Sequence, residues 1–100
     1  MAIQQKIKAL FAQIENNLSA PLTLSALSEA TGLSVFQITR LVSRLTGLPP
    51  MAYVRARRLA KSLPQLYRGD AILAIALDWG FAYEQSYIRA FREVYGATPA

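Results

Sequence analysis

The chain has 100 residues, 53% of them hydrophobic, a net charge of +5, and neither cysteine nor histidine. That is enough for one small domain, or two very small ones, with a real core. The composition excludes disulfides, thiolate chemistry, and the commonest general base and metal ligand. The longest apolar run, residues 71–77, is too short to span a bilayer, and no hydrophobic block with a cleavage site opens the chain. A cysteine-free chain of this kind is expected in a reducing cytoplasm.

Ile3, Ile7, Leu10, Phe11, Ile14 and Leu18 recur at steps of three and four. They predict a first amphipathic helix ending near Asn17, with Lys6 and Lys8 solvated. Pro21 breaks it, and Thr23 caps a second helix that carries Leu24 and Leu27 and stops at Gly32. Ser34 and Gln37 form an S-x-x-Q capping box that opens a third helix, with Ile38, Leu41, Val42 and Leu45 facing inward. Gly47 ends that helix, and Pro50 sets the first turn of a fourth.

The fourth helix turns Val54, Leu59, Leu63 and Leu66 inward. Pro64 has no amide hydrogen for the carbonyl of Ala60 and predicts a kink or an early stop. Asp70 is expected to cap a fifth helix bearing Ile72, Ile75 and Ala76 and ending at Gly80. A sixth runs from about Tyr83 to Tyr95, with Tyr87, Phe91 and Val94 as core positions. Tyr53, Tyr67 and Trp79 read as structural aromatics. No strand-like alternation of useful length occurs, so the fold class is all-α.

Charge is unevenly placed. Residues 40–68 carry Arg40, Arg44, Arg55, Arg57, Arg58, Lys61 and Arg68 without one acid, whereas the segments before and after hold 0 and −2. A stretch richer in arginine than lysine suits phosphate, which a guanidinium grips with two parallel hydrogen bonds. Arg55, Arg57 and Arg58 stand at steps of one and two and cannot share a helix face. At least one is therefore expected to brace helix packing or to pair with Glu29 or Asp78.

The helix–turn–helix pattern occurs twice. Counted from Gly32 and Gly80, Ile38 answers Tyr87, Arg40 answers Arg89 and Val42 answers Phe91, once a single extra residue is allowed in the second turn. Upstream, Leu24 and Leu27 answer Ile72 and Ile75, and Ser28 and Ala76 both stand four residues before the glycine, where closely crossing helices need a small side chain. In such a unit the first helix braces the second, whose outer side can enter a DNA major groove. The outer positions are Val35, Phe36, Gln37, Thr39, Arg40, Ser43 and Arg44 on the third helix, and Glu84, Gln85, Ser86, Ile88, Arg89 and Arg92 on the sixth. Arginine can hold guanine O6 and N7, glutamine can pair with adenine, and Val, Phe or Ile can touch a thymine methyl.

These residues carry a resemblance. The segments PLTLSALSEATGLS, Arg40-Leu41, Gly47, Tyr53-Val54 with Arg58-Leu59, ILAIALDWGF, Ser86-Tyr87, Arg89-Ala90-Phe91 and GATP extend over residues 18–99. Over that span the chain resembles the DNA-binding domain of the AraC/XylS family of bacterial transcription regulators. The resemblance implies a homeodomain-like, seven-helix domain: a first subunit over about 1–49, a connector helix over about 50–68, and a second subunit over about 69–100. It implies two recognition helices in successive major grooves of double-stranded DNA, about 34 Å apart, on an asymmetric site that needs no dimer. It also implies activation through contact with RNA polymerase. Any effector would be bound by a domain that this chain does not contain.

Carried over by position, the base-facing set is Phe36, Gln37, Thr39 and Arg40, then Glu84, Gln85, Ser86, Ile88 and Arg89. Val42-Ser43 departs from the family's usual Phe-Lys, Tyr83 replaces a small polar helix starter, and Glu84 brings negative charge to the head of helix six. These departures predict a smaller share of specificity for helix six. The family's final short helix would lie beyond Ala100. The chain is therefore expected to be truncated before it, either as an N-terminal DNA-binding domain ahead of a ligand-sensing domain or as a small regulator cut short.

Other function classes fit less well. With no glycine-rich phosphate loop and no carboxylate pair on one face, neither an enzyme nor a bound cofactor is expected. A membrane-surface role for residues 51–68 is disfavoured by Pro64 and by the shortage of lysine. The serious alternative is a helical protein-interaction module that docks a partner through the apolar outer face of helix three.

Overall fold

A computed structural model describes residues 2–100. Among these there are six α-helices and no strand: α1 (Ile3–Asn16), α2 (Leu24–Thr31), α3 (Val35–Thr46), α4 (Pro50–Arg68), α5 (Ile72–Asp78) and α6 (Glu84–Tyr95). They form two compact units, Met1–Val54 and Arg55–Ala100, with the boundary inside α4.

In the first unit the apolar stripes of the sequence are the buried residues. Leu10, Ile14 and Leu18 from α1 and the turn after it, Leu27 from α2, Leu33, and Ile38 and Val42 from α3 are all buried. Tyr53, half-buried, meets the Phe11 ring edge-on, with centroids 5.5 Å apart and planes at 87°. Leu45 departs from expectation. The α3 stripe is sealed at Ile38 and Val42 but surfaces in the last turn, where packing partners run out and Leu45 is 59% exposed.

The second unit has its own core of Leu59, Ile75, Ala76, Phe81, Tyr87, Ala90 and Phe91, with Leu63, Leu66, Ile72 and Trp79 packed against it. Tyr87 is its hub: fully buried, with Phe81 at 5.4 Å on one side and Phe91 at 6.0 Å on the other. Its hydroxyl lies 2.8 Å from Ser62 Oγ, and Ser62 Oγ donates to the Leu59 carbonyl at 2.6 Å. A serine has one hydroxyl proton. With that proton on the Leu59 carbonyl, Tyr87 is the donor to Ser62. Burial raises the Tyr87 pKa above its ordinary value of 10.0.

Other sequence expectations meet a different outcome. Of the kink or early stop expected at Pro64, the early stop does not occur, and α4 continues one more turn to Arg68. It ends in a Schellman motif in which Asp70 N donates to Gln65 O and Gly69 N to Leu66 O, with Gly69 at φ +85°. Asp70 does not cap α5: the N-cap is Ala71, without a side-chain hydrogen bond. The Asp70 carboxylate instead takes both ends of the Arg68 fork, Nε at 3.2 Å and Nη2 at 2.7 Å, a charged bidentate pair that outcompetes a neutral amide. That pairing holds the Asp70 carboxyl below its usual range. Val94, in the last turn of α6, is 46% exposed rather than core. Tyr67 is 90% exposed and packs on nothing that could make it structural.

Candidate nucleic-acid interface

Each unit presents one helix whose inner side is sealed and whose outer side is open. Thr23 Oγ1 caps α2 by accepting Ala26 N at 3.0 Å. Gly32, at φ +75°, then reverses the chain and donates to Ser28 O. The half-buried Ser28 donates to Leu33 O at 2.6 Å, and Thr31 Oγ1 accepts Leu33 N. Ser34 then opens α3 with both halves of the capping box: Ser34 Oγ accepts Gln37 N at 3.0 Å, and Gln37 Oε1 accepts Ser34 N at 2.9 Å.

The second turn uses different bonds. Phe81 N donates to Ala76 O and Gly80 N to Leu77 O, a Schellman motif with Gly80 at φ +82°. Buried Phe81 follows its glycine as buried Leu33 follows Gly32. The two copies part at the next residue. Ser34 caps α3 two positions after its glycine, whereas Ala82 intervenes and Tyr83 caps α6 three positions after, without a side-chain bond. Ala82 is the extra residue that the offsets require.

The matched positions then fall as expected. Ile38 and Tyr87 are both fully buried, Val42 and Phe91 are both buried, and Arg40 and Arg89 are both exposed. On α3, Val35, Phe36, Gln37, Thr39, Arg40 and Arg44 are exposed and Ser43 is half-buried. On α6, Glu84, Gln85, Arg89 and Arg92 are exposed, while Ser86 and Ile88 are half-buried. Phe36 is 67% exposed, and the Arg40 guanidinium carbon stands 5.5 Å over its ring. Ile3, Phe36, Gln37, Arg40, Leu41 and Arg44 line a shallow depression of about 220 Å³ in the first unit.

The first turn of α3 carries no acid, so its N-terminal partial charge is unopposed. Glu84 neutralises the same end of α6. The arginines of α4 divide as their spacing requires: Arg55 is exposed, and Arg57 and Arg58 are half-buried. The Arg58 guanidinium lies against the second turn, 3.3 Å from where a Cβ on Gly80 would stand, and burial lowers its pKa.

Sequence patterning does not single out Ser62 or Gln65, since a polar residue on a helix reads as solvated. Ser62 is fully buried beneath Tyr87. Gln65 bridges two elements, accepting from the Trp79 indole N–H and donating to Asp78 Oδ2 at 2.9 Å. Only the fold brings these partners together.

Residues 27–100 match a family model described as a helix-turn-helix domain. The chain is similar to the Transposon Tn10 TetD protein of Escherichia coli, 35% identical over 95 residues that cover 94% of this chain and 69% of that protein. The chain belongs to the AraC/XylS family. It is also similar to the right origin-binding protein of Escherichia coli strain K12, 37% identical over 95 residues, though it spans only 33% of that longer protein's length. Among solved structures, this AraC-type fold superposes with a TM-score of 0.87 on a Chromobacterium violaceum transcriptional regulator of the AraC-type DNA-binding domain-containing proteins. The identity there is 26%, and the match covers 96% of this chain and 87% of that one.

Proposed function

We propose that this chain binds double-stranded DNA sequence-specifically and serves in bacterial transcription regulation, without catalysis, in the cytoplasm. The observation that carries the reading is the register of α3 and α6. Each second helix buries a matched apolar pair and exposes an arginine at the equivalent outer position, Arg40 and Arg89. Membership of the family and the likeness to a transcriptional regulator with an AraC-type DNA-binding domain support it.

In this reading the outer residues of α3 and α6 meet base edges. Arg40 and Arg89 hold guanine O6 and N7, and Ser43, Arg44 and Arg92 lie nearer the phosphates. Activation through RNA polymerase, and an effector bound by another domain, follow from the resemblance and belong to the proposal.

A second reading, docking of a partner protein, is favoured by the depression beside the exposed Phe36. Salt separates the two. Phosphate contacts release counterions, so DNA affinity should fall steeply with ionic strength, whereas apolar docking should not. The test is selection from a random duplex library, followed by titration at two salt concentrations. Recovery of an asymmetric site with two preferred blocks about one helical turn apart, bound less tightly at higher salt, supports the proposal. Indifference to both sequence and salt refutes it.

A further inference from the structure

We propose that the two reading helices recognise bases by different chemistry: α3 adds apolar contact with thymine methyl groups to its arginine contacts, whereas α6 reads by hydrogen bonds. The inference rests on the DNA-binding reading above and goes beyond it. On α3, two of the polar groups that face outward are engaged within the helix, while the side chains of the exposed Arg40 and Arg44 make no hydrogen bond or ion pair among the described residues. Gln37 Oε1 accepts the Ser34 amide at 2.9 Å, and Thr39 Oγ1 donates its one proton to the Val35 carbonyl at 2.9 Å. A glutamine held in this way has one of the two lone pairs of its oxygen occupied and its side chain turned back on the helix N-terminus. It must leave the capping box to lie flat along an adenine edge. The Arg40 guanidinium rests over the Phe36 ring at 5.5 Å. What α3 offers beyond its arginines, Arg40 and Arg44, is apolar: Val35 at 43% exposure, Phe36 at 67%, and the methyl of Thr39.

α6 is the reverse. Tyr83 caps it without a side-chain bond, so no capping box engages its first turn. The side chains of Glu84, Gln85, Arg89 and Arg92 are exposed and make no hydrogen bond or ion pair among the described residues. Ile88, the apolar residue among its base-facing positions, is half-buried. A free carboxylate, a free amide and the free Arg89 guanidinium can between them accept from cytosine N4, pair with adenine, and fork onto guanine. Helix six therefore carries the larger share of hydrogen-bonded discrimination, contrary to what its departures from the family pattern predict.

The test uses a duplex recovered from the random library, with the block under each helix assigned by the loss of preference in Arg40→Ala and Arg89→Ala. Each thymine is then replaced by deoxyuridine, which removes only the methyl, and each purine by its 7-deaza analogue, which removes only the N7 acceptor. Deoxyuridine should weaken binding about fourfold per methyl in the α3 block, and Phe36→Ala should abolish that sensitivity. The 7-deaza purines should weaken binding roughly tenfold both at the guanine under Arg40 and in the α6 block, with little effect of deoxyuridine in the α6 block. Equal sensitivity of the two blocks to deoxyuridine, or greater sensitivity in the α6 block, overturns the inference while leaving DNA binding intact. Failure to recover any preferred, salt-sensitive duplex overturns the DNA-binding reading itself.

Discussion

Ser62→Ala tests how α6 is seated. The hydroxyl lost is the acceptor for the Tyr87 O–H, and both residues are fully buried. Without Ser62 Oγ the phenol keeps its proton but has no partner, and an unsatisfied buried donor costs about 1–3 kcal/mol. Tyr87→Phe cuts the same bond from the other side, yet Ser62 still donates to the Leu59 carbonyl at 2.6 Å. Only an acceptor lone pair is then left bare, and the cost should stay near 1 kcal/mol. The expected order is therefore Ser62→Ala worse than Tyr87→Phe, although the tyrosine is the larger residue. The chain has a single tryptophan, Trp79, packed against this core, so its fluorescence during urea unfolding reports on the second unit. With a slope of about 1–2 kcal/mol per molar, Ser62→Ala should lower the midpoint by roughly 1 M at unchanged slope. Alkali adds a second readout. The pKa of Tyr87 is raised by burial above its ordinary 10.0, so below about pH 10 the phenol is protonated in both states and contributes no pH dependence. Above that, the unfolded chain loses the proton first and stability falls. Tyr87→Phe should lack this component and lose less stability between pH 9 and 11 than the parent. If Tyr87→Phe costs more than Ser62→Ala, the assigned direction of the hydrogen bond is wrong; if it is equally alkali-sensitive, burial does not raise the Tyr87 pKa.

The other expectations concern turns, stripes and readout. Gly80→Ala should destabilise more than Gly32→Ala: both glycines have positive φ, worth about 1–2 kcal/mol for an L-residue. A Cβ on Gly80 also meets the Arg58 guanidinium at 3.3 Å, whereas one on Gly32 has only the Lys6 ammonium at 3.9 Å; thermal unfolding of both variants checks the order. Val42→Ala should cost about 1–3 kcal/mol in urea and Leu45→Ala under about 0.5, because the first is fully buried and the second 59% exposed. Ser34→Ala removes the cap of α3 and should cost about 1 kcal/mol by the same assay. Arg40→Ala should weaken binding of the selected duplex by about 1–3 kcal/mol and relax preference at one base pair. An equal loss on every sequence would instead mark Arg40 as a phosphate contact.

The sequence by itself determined the all-α class, the order of the six helices, both glycine turns, the capping box of α3 and the register that pairs Arg40 with Arg89. All are encoded locally, in the spacing of apolar residues, in cap residues and in the need for positive φ. Tertiary structure decided where each stripe is covered, so Leu45 and Val94 continue their patterns correctly and yet lie outside the core. It decided which distant partner a polar group finds: Ser62 met Tyr87 across 25 residues, and Gln65 met Trp79 across 14. Periodicity cannot announce such pairings, because a hydrogen bond between distant residues depends on coordinates that only packing supplies. The two reading faces differ for a nearer reason. Their residue types can be read from the sequence, but which of their polar groups remain free depends on bonds that form only when the helices do.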